Sequence, residues 1–120
     1  MPKTVMIVED YADVRMMMKI LIRSHGYIVI EAADGFEALE KSVQYHPDLI
    51  LMDLAMPIMD GATATRLIRK IEGCENISIV ALTAYSNTSF NKAIEAGFDD
   101  VLIKPLHFEK LEPLLNHYLS

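Results

Sequence analysis

With a single cysteine, Cys74, the chain cannot form an internal disulfide. A catalytic thiol would need a base that nothing near Cys74 supplies, so a small surface or half-buried side chain is expected there. Glycine and proline number five each while 52% of residues are hydrophobic, a balance that argues against disorder. No apolar stretch approaches the ~20 residues of a membrane span, and Met1-Pro2-Lys3-Thr4 runs straight into a strand. A soluble, cytoplasmic protein without membrane contact is therefore expected. Lys and Arg total 11 against 17 Asp and Glu, and a formal charge of −6 leaves little concentrated positive charge for direct nucleic-acid binding. Arg66, Arg69 and Lys70 form one small basic group that a solvated helix face accounts for. No tail, linker or repeat marks a second domain. Residues 1–120 are expected to be one unit, burying roughly two-thirds of the extended-chain surface without staples.

What the chain does have is organised around Asp48-Leu49-Ile50-Leu51-Met52-Asp53-Leu54-Ala55-Met56-Pro57. The apolar run is too continuous for a strand with one wet face, and it ends on a carboxylate four residues before a proline. That pattern predicts a central parallel strand buried on both faces, delivering Asp53 to the carboxyl edge of a sheet, where open parallel sheets usually hold their sites.

Taken in order, Thr4-Val5-Met6-Ile7-Val8 is a first strand ending at Glu9-Asp10. Residues from about 13 to 25 have helical spacing, with Val14, Met17 or Met18, Leu21 and Ile22 facing the sheet and Gly26 as C-cap. Tyr27 to Ala32 is a β-branched second strand. After an Asp34-Gly35 turn, Phe36, Leu39 and Val43 share a helical face with Ala38, and Pro47 stops that helix near Tyr45-His46. A loop marked by Pro57 and Asp60-Gly61 precedes a helix over about 62–72, burying Leu67, Ile68 and Ile71 to differing extents. Ile77 to Leu82 forms a fourth strand ending at Thr83. A helix over roughly 87–96 carries Phe90 and Ile94 four positions apart and ends at Gly97. Asp100 or Val101 through Ile103 is a brief fifth strand, followed by Lys104-Pro105. A last helix begins near His107 with Phe108, Leu111 and Leu115 on one side, and Pro113 within it should cost about 3 kcal/mol unless the helix kinks. Strand then helix, five times over, implies an all-parallel sheet covered on both faces.

The polar residues following the strands are Glu9 and Asp10, Asp53, Thr83 and Lys104. Parallel strands bring all five to one edge. Three carboxylates there would raise one another's pKa unless a cation intervenes, and Mg²⁺ combines one or two carboxylates with waters and a phosphate. Lys104 is a mobile positive charge and Thr83 a short hydroxyl donor, a pair better suited to a phosphoryl group than to a carbon substrate. Taken singly, each is accounted for as a loop carboxylate, a surface lysine or a cap, and Asp10 or Asp13 as the N-cap of the first helix. The joint pattern is the specific one.

Six fragments in order carry a resemblance: Ile7-Val8-Glu9-Asp10, Asp34 to Leu39, Pro47 to Asp53, Met56-Pro57 with Asp60-Gly61, Leu82-Thr83-Ala84, and Ala96 to Asp100 with Lys104-Pro105. Over essentially its whole length the chain resembles the receiver domain of two-component response regulators, including the chemotaxis regulators. The resemblance implies a doubly wound, flavodoxin-like α/β fold with a five-stranded parallel sheet in the order 2-1-3-4-5. It implies that Asp53 is the phosphoacceptor, that Asp10, Asp53 and the Ala55 backbone carbonyl hold Mg²⁺ (Mn²⁺ being the alternative), and that Glu9 acts through metal-bound water. Glu9 stands where many relatives have aspartate. Thr83 and Lys104 would bind phosphoryl oxygens. The implied donor is a histidine kinase or histidine phosphotransfer protein, and the output is altered binding to a downstream protein or a further domain, not turnover as an enzyme. Val101 occupies a position that is aromatic in relatives, which leaves two routes open: repacking of the helix bearing Phe90 and Ile94, or a weakly switching phosphate carrier. Tyr85 and Ala55 flank the path of attacking water and are expected to set phosphate lifetime. Met16 and Ile20, off the buried face of the first helix, are a candidate docking patch for a histidine-bearing partner. A constitutive interaction module and a small phosphohydrolase are the other two readings.

Overall fold

The computed structural model describes residues 2–84 and 87–120, with the side chains of 87–89 and 108 left aside. Along the chain it forms β1 (Thr4–Val8), α1 (Ala12–Ser24), β2 (Ile28–Ala32), α2 (Gly35–Tyr45), β3 (Leu49–Asp53) and α3 (Gly61–Arg69). The second part adds β4 (Ser78–Thr83), α4 (Asn87–Ala96), β5 (Asp100–Ile103) and α5 (Phe108–Leu119). The strands pair in parallel in the order β2-β1-β3-β4-β5, as expected.

Side chains of a strand alternate between faces, so β3 divides its apolar run between two cores. Leu49 and Leu51 join Val5, Ile7, Val80 and Leu82 under α1 and α5, which contribute Met18, Ile22, Leu111 and Leu115. Ile50 and Met52 join Met6, Val8 and Ile79 under α2 and α3, which contribute Ala38, Ala64 and Ile68. A third cluster of small residues, Ala62, Ala81, Ala93 and Ala96 with Leu54, seats α4.

Several helix faces differ from the periodicity reading. In α1 the buried residues are Met18 and Ile22, while Val14 and Met17 are exposed. In α2 Phe36 and Val43 are exposed and the inward side is Gly35, Ala38 and Ser42. Counting only large apolar residues misses such a face. Ser42 is cheap to bury because its Oγ donates to the Ala38 carbonyl at 2.7 Å, and small residues let α2 lie close to the sheet. α4 repeats the effect, with Phe90 and Ile94 exposed and Ala93 and Ala96 buried. α3 ends at Arg69, short of 72, Leu67 sits at the surface, and Gly73 turns the chain with φ 91°. Cys74 is fully buried, its Sγ 3.8 Å from both the Ser42 carbonyl and His46 Nδ1.

Arg69 is no solvated side chain either. It donates to the carbonyls of Gly97, Glu75 and Ile77 and pairs with Asp99 at 2.9 Å. Asp99 in turn accepts from the Ile79 amide at 2.8 Å, so one guanidinium ties α3 to the end of α4 and the start of β4.

Candidate functional site

The alternation that sorts the core also builds the site. Val5 and Ile7 on β1 face α1 and α5, and Glu9 is the next residue in that row. Leu49 and Leu51 lead in the same way to Asp53, and Leu102 leads to Lys104. Each row of hydrophobic side chains thus ends in an ionisable one where its strand stops. Adjacent strands then hold these ends level: Leu54 N donates to the Leu82 carbonyl at 3.0 Å, and Lys104 N to the Thr83 carbonyl at 2.8 Å.

Lys104 Nζ donates to Asp53 Oδ2 at 2.7 Å and lies 3.6 Å from Glu9 Oε1. The other Asp53 oxygen, Oδ1, accepts from the Ala55 amide at 3.0 Å. Asp53 and Glu9 are both nearly inaccessible, at 3% and 1% exposure, yet both lie at the edge and not within the apolar interior. Burial, reinforced by the neighbouring Asp53 carboxylate, pushes Glu9 up to about 8, against the lowering effect of Lys104. Burial would lower the Lys104 ammonium, but its hydrogen bond to Asp53 and the charges of Asp53 and Glu9 hold it above its ordinary value.

Glu9, Asp10 and Asp53 each place a carboxylate oxygen within 4.8 Å of the others. Asp10 Oδ1 is buried with no hydrogen-bond partner. A buried carboxyl oxygen with no partner, beside two more carboxyl groups, is costly without a cation, and an all-oxygen donor set suits a hard divalent ion. The residues present fit Mg²⁺. Asp10 is not the α1 cap: that position is Tyr11, which makes no side-chain capping bond, and Asp13 lies inside the first turn.

The Response regulator receiver domain family matches residues 5–116. The chain belongs to the response regulator receiver family. It is 34% identical to the chemotaxis protein CheY of Bacillus subtilis, with both chains covered in full. It is 42% identical over 87% of its length to hybrid signal transduction histidine kinase G of Dictyostelium discoideum, of which it spans 3%. Among solved structures, the receiver domain of a sensor histidine kinase from Pseudomonas aeruginosa, with a magnesium ion coordinated in its active-site cleft, superposes with TM-score 0.92. That pair is 33% identical and covers 98% of each chain. The receiver's acidic cluster of Glu9, Asp10 and Asp53 is a candidate Mg²⁺ site.

Thr83 sits on the other side of the receiver sheet, in the row of Ile79 and Ala81. Its hydroxyl donates to the Ala84 carbonyl at 3.0 Å, not to Asp53 or Lys104. A cleft of about 390 Å³ joins it to Ala55, lined also by Leu54, Met56, Asp60 and Lys92. Val101 is half-buried against the small-residue cluster beneath α4. Met16, Ile20 and Phe90 are exposed. Tyr85 lies outside the described residues.

Two positions escaped the sequence reading. Gly61, read only as part of a turn, packs so tightly that a Cβ would come 2.2 Å from the Asp53 carbonyl oxygen. Arg15 donates from Nη1 to the Glu9 carbonyl at 2.7 Å and from Nε to Glu31 at 3.2 Å. The turn dipeptide Asp60-Gly61 flagged the first; nothing local flagged the second, whose partners lie six and sixteen residues away.

Proposed function

We propose that Asp53 is the phosphoacceptor of this receiver and that its partner is a histidine kinase or a histidine phosphotransfer protein. The observation that carries the reading is the Lys104–Asp53 contact at 2.7 Å within the carboxylate cluster. An Asp53 oxygen attacks phosphorus in a phosphohistidine or a small phosphodonor. The bond from phosphorus to the donor breaks, and the product is an acyl phosphate that water later hydrolyses. A Mg²⁺ ion held by these carboxylates would supply the positive charge that offsets charge on the phosphoryl oxygens. Asp10, Asp53 and the Ala55 carbonyl are the proposed direct ligands, with Glu9 acting through water. Lys104 already occupies the place where the new negative charge arrives, so its ammonium passes from the carboxylate to a phosphoryl oxygen.

Thr83 exchanges its bond to the Ala84 carbonyl for one to a phosphoryl oxygen. Its movement is transmitted to α4 through the face it shares with Ala81, against which Val101, Ala93 and Ala96 pack. The signal is altered binding of a downstream protein or a further domain, and Ala55 and Tyr85 modulate phosphate lifetime. The domain carries one phosphoryl group and is not proposed to turn over free phosphoesters. The kinase-borne relatives support the choice of donor. No described helix is long and apolar enough to cross a membrane, and a cytoplasmic location goes with this reading.

Incubation with acetyl phosphate and Mg²⁺ tests it by intact mass. A labile, metal-dependent gain of one phosphoryl group that Asp53→Asn abolishes is expected. No gain favours a passive interaction module, and donor turnover far faster than adduct decay favours a hydrolase.

A further inference from the structure

The β1–α1 turn carries two of the three clustered carboxyl groups, whose oxygens lie within 4.8 Å of one another and of Asp53. Within the turn the Glu9 amide donates to the Ala32 carbonyl at 3.1 Å, and the Asp10 amide to Glu9 Oε2 at 3.1 Å. The only described side-chain cation that grips the backbone of this turn is Arg15. Its Nη1 donates to the Glu9 carbonyl at 2.7 Å while its Nε donates to Glu31 Oε1 at 3.2 Å. Glu31 is itself fixed. Its second oxygen accepts from Lys19, one helical turn beyond Arg15, at 3.0 Å, and its backbone carbonyl accepts from Lys41 Nζ. In the β1–β2 register Glu31 stands opposite Ile7, two residues before Glu9. The guanidinium therefore braces the turn against the neighbouring strand, using two different nitrogens at once.

We propose that Arg15, braced by Glu31, is a positioning residue that holds Glu9 and Asp10 in place for Mg²⁺. The inference rests on reading the carboxylate cluster as the metal site. It assigns Arg15 no contact with metal or phosphate; it acts through the Glu9 carbonyl. A lysine reaches both acceptors only from a single nitrogen and lacks the guanidinium's rigid fork, so Arg15→Lys keeps the charge while loosening the two-point grip. This separates positioning from a general electrostatic effect.

The test is calorimetric titration with Mg²⁺ alone, on the whole chain, alongside thermal unfolding of each variant. Outer partners of metal ligands typically change affinity by about 10–100-fold, and Arg15→Met and Arg15→Lys should each weaken Mg²⁺ binding by about tenfold. Glu31→Gln should weaken it in the same direction. The double variant Arg15→Met/Glu31→Gln should bind no more weakly than Arg15→Met, because both changes break one brace. Dissociation constants within twofold of the parent for Arg15→Lys and Glu31→Gln would overturn the proposal, as would multiplicative losses in the double variant. Should Arg15→Met fail to fold, those two milder variants still decide. A parent chain that binds no Mg²⁺ would remove the metal reading itself, whereas a parent that binds and variants that match it remove only the role of Arg15.

Discussion

Glu9 keeps its proton up to a pH of about 8 because it is buried beside Asp53, and this makes the metal-free protein pH-sensitive in a definite direction. Below the ordinary value of 4.5 both folded and unfolded chains are protonated there, so its contribution to stability is fully present. Between 4.5 and about 8 the unfolded chain has released the proton and the folded one has not, so stability falls as pH rises. In chelator, the melting temperature should drop across this window and Glu9→Gln should flatten the drop. A rising profile in the parent would refute the assignment. Mg²⁺ competes with that proton, so its apparent affinity should strengthen toward pH 8. Ile58, in the loop after Asp53, is the second residue with a definite prediction. It holds φ at 71° with 81% of its surface exposed, a backbone region that β-branched residues rarely occupy. Ile58→Asn should raise stability by about 1 kcal/mol in urea denaturation, since strain is relieved and almost no packing is lost. Gly61 predicts the opposite sign. A methyl group there must displace the Asp53 backbone, so Gly61→Ala should lower both stability and Mg²⁺ affinity.

Among elements, α4 has the most particular anchoring. Its C-terminal carbonyl at Gly97 accepts two bonds from Arg69, whose side chain also holds Glu75, Ile77 and Asp99. Removing a largely buried donor leaves several carbonyls unsatisfied at about 1–3 kcal/mol each for a fully desolvated group, discounted here by partial exposure. Arg69→Met should cost about 2 kcal/mol in total, with hydrogen exchange accelerated at Ile79 and around Gly97 and little changed in α1. The inner face of α4 is built from alanines, which leaves Phe90 and Ile94 in solvent. The apolar residues of α1 divide the same way. Tyr11, Val14 and Met17 border a groove of about 290 Å³ running toward Glu9 and Lys104, whereas Met16 and Ile20 are simply exposed. Element types and most boundaries were legible from apolar runs, turn residues and the Pro47 stop. Helix faces were less so, because a period read from large side chains overlooks Ser42, Ala93 and Ala96, which face inward by being small.

For the whole molecule, the two cores are held apart only by the sheet, and β3 serves both. Ile68 reaches the α2–α3 core fully buried, and Ile68→Ala should cost about 2–5 kcal/mol, read as a shift in the urea midpoint with an unchanged slope. The sequence by itself determined the alternation of strands and helices, the parallel sheet and the identity of the residues at its edge. Those features follow from local properties: apolar runs, turn chemistry, and a carboxylate, hydroxyl or lysine where each run stops. Only the tertiary structure decided that Glu9, Asp53 and Lys104 lie on one side of the sheet and Thr83 on the other, that Arg15 braces the Glu9 turn against Glu31, and that Gly61 must lack a side chain. These depend on register and on contacts between residues far apart in the chain, and no local pattern encodes which long-range partner a side chain will meet.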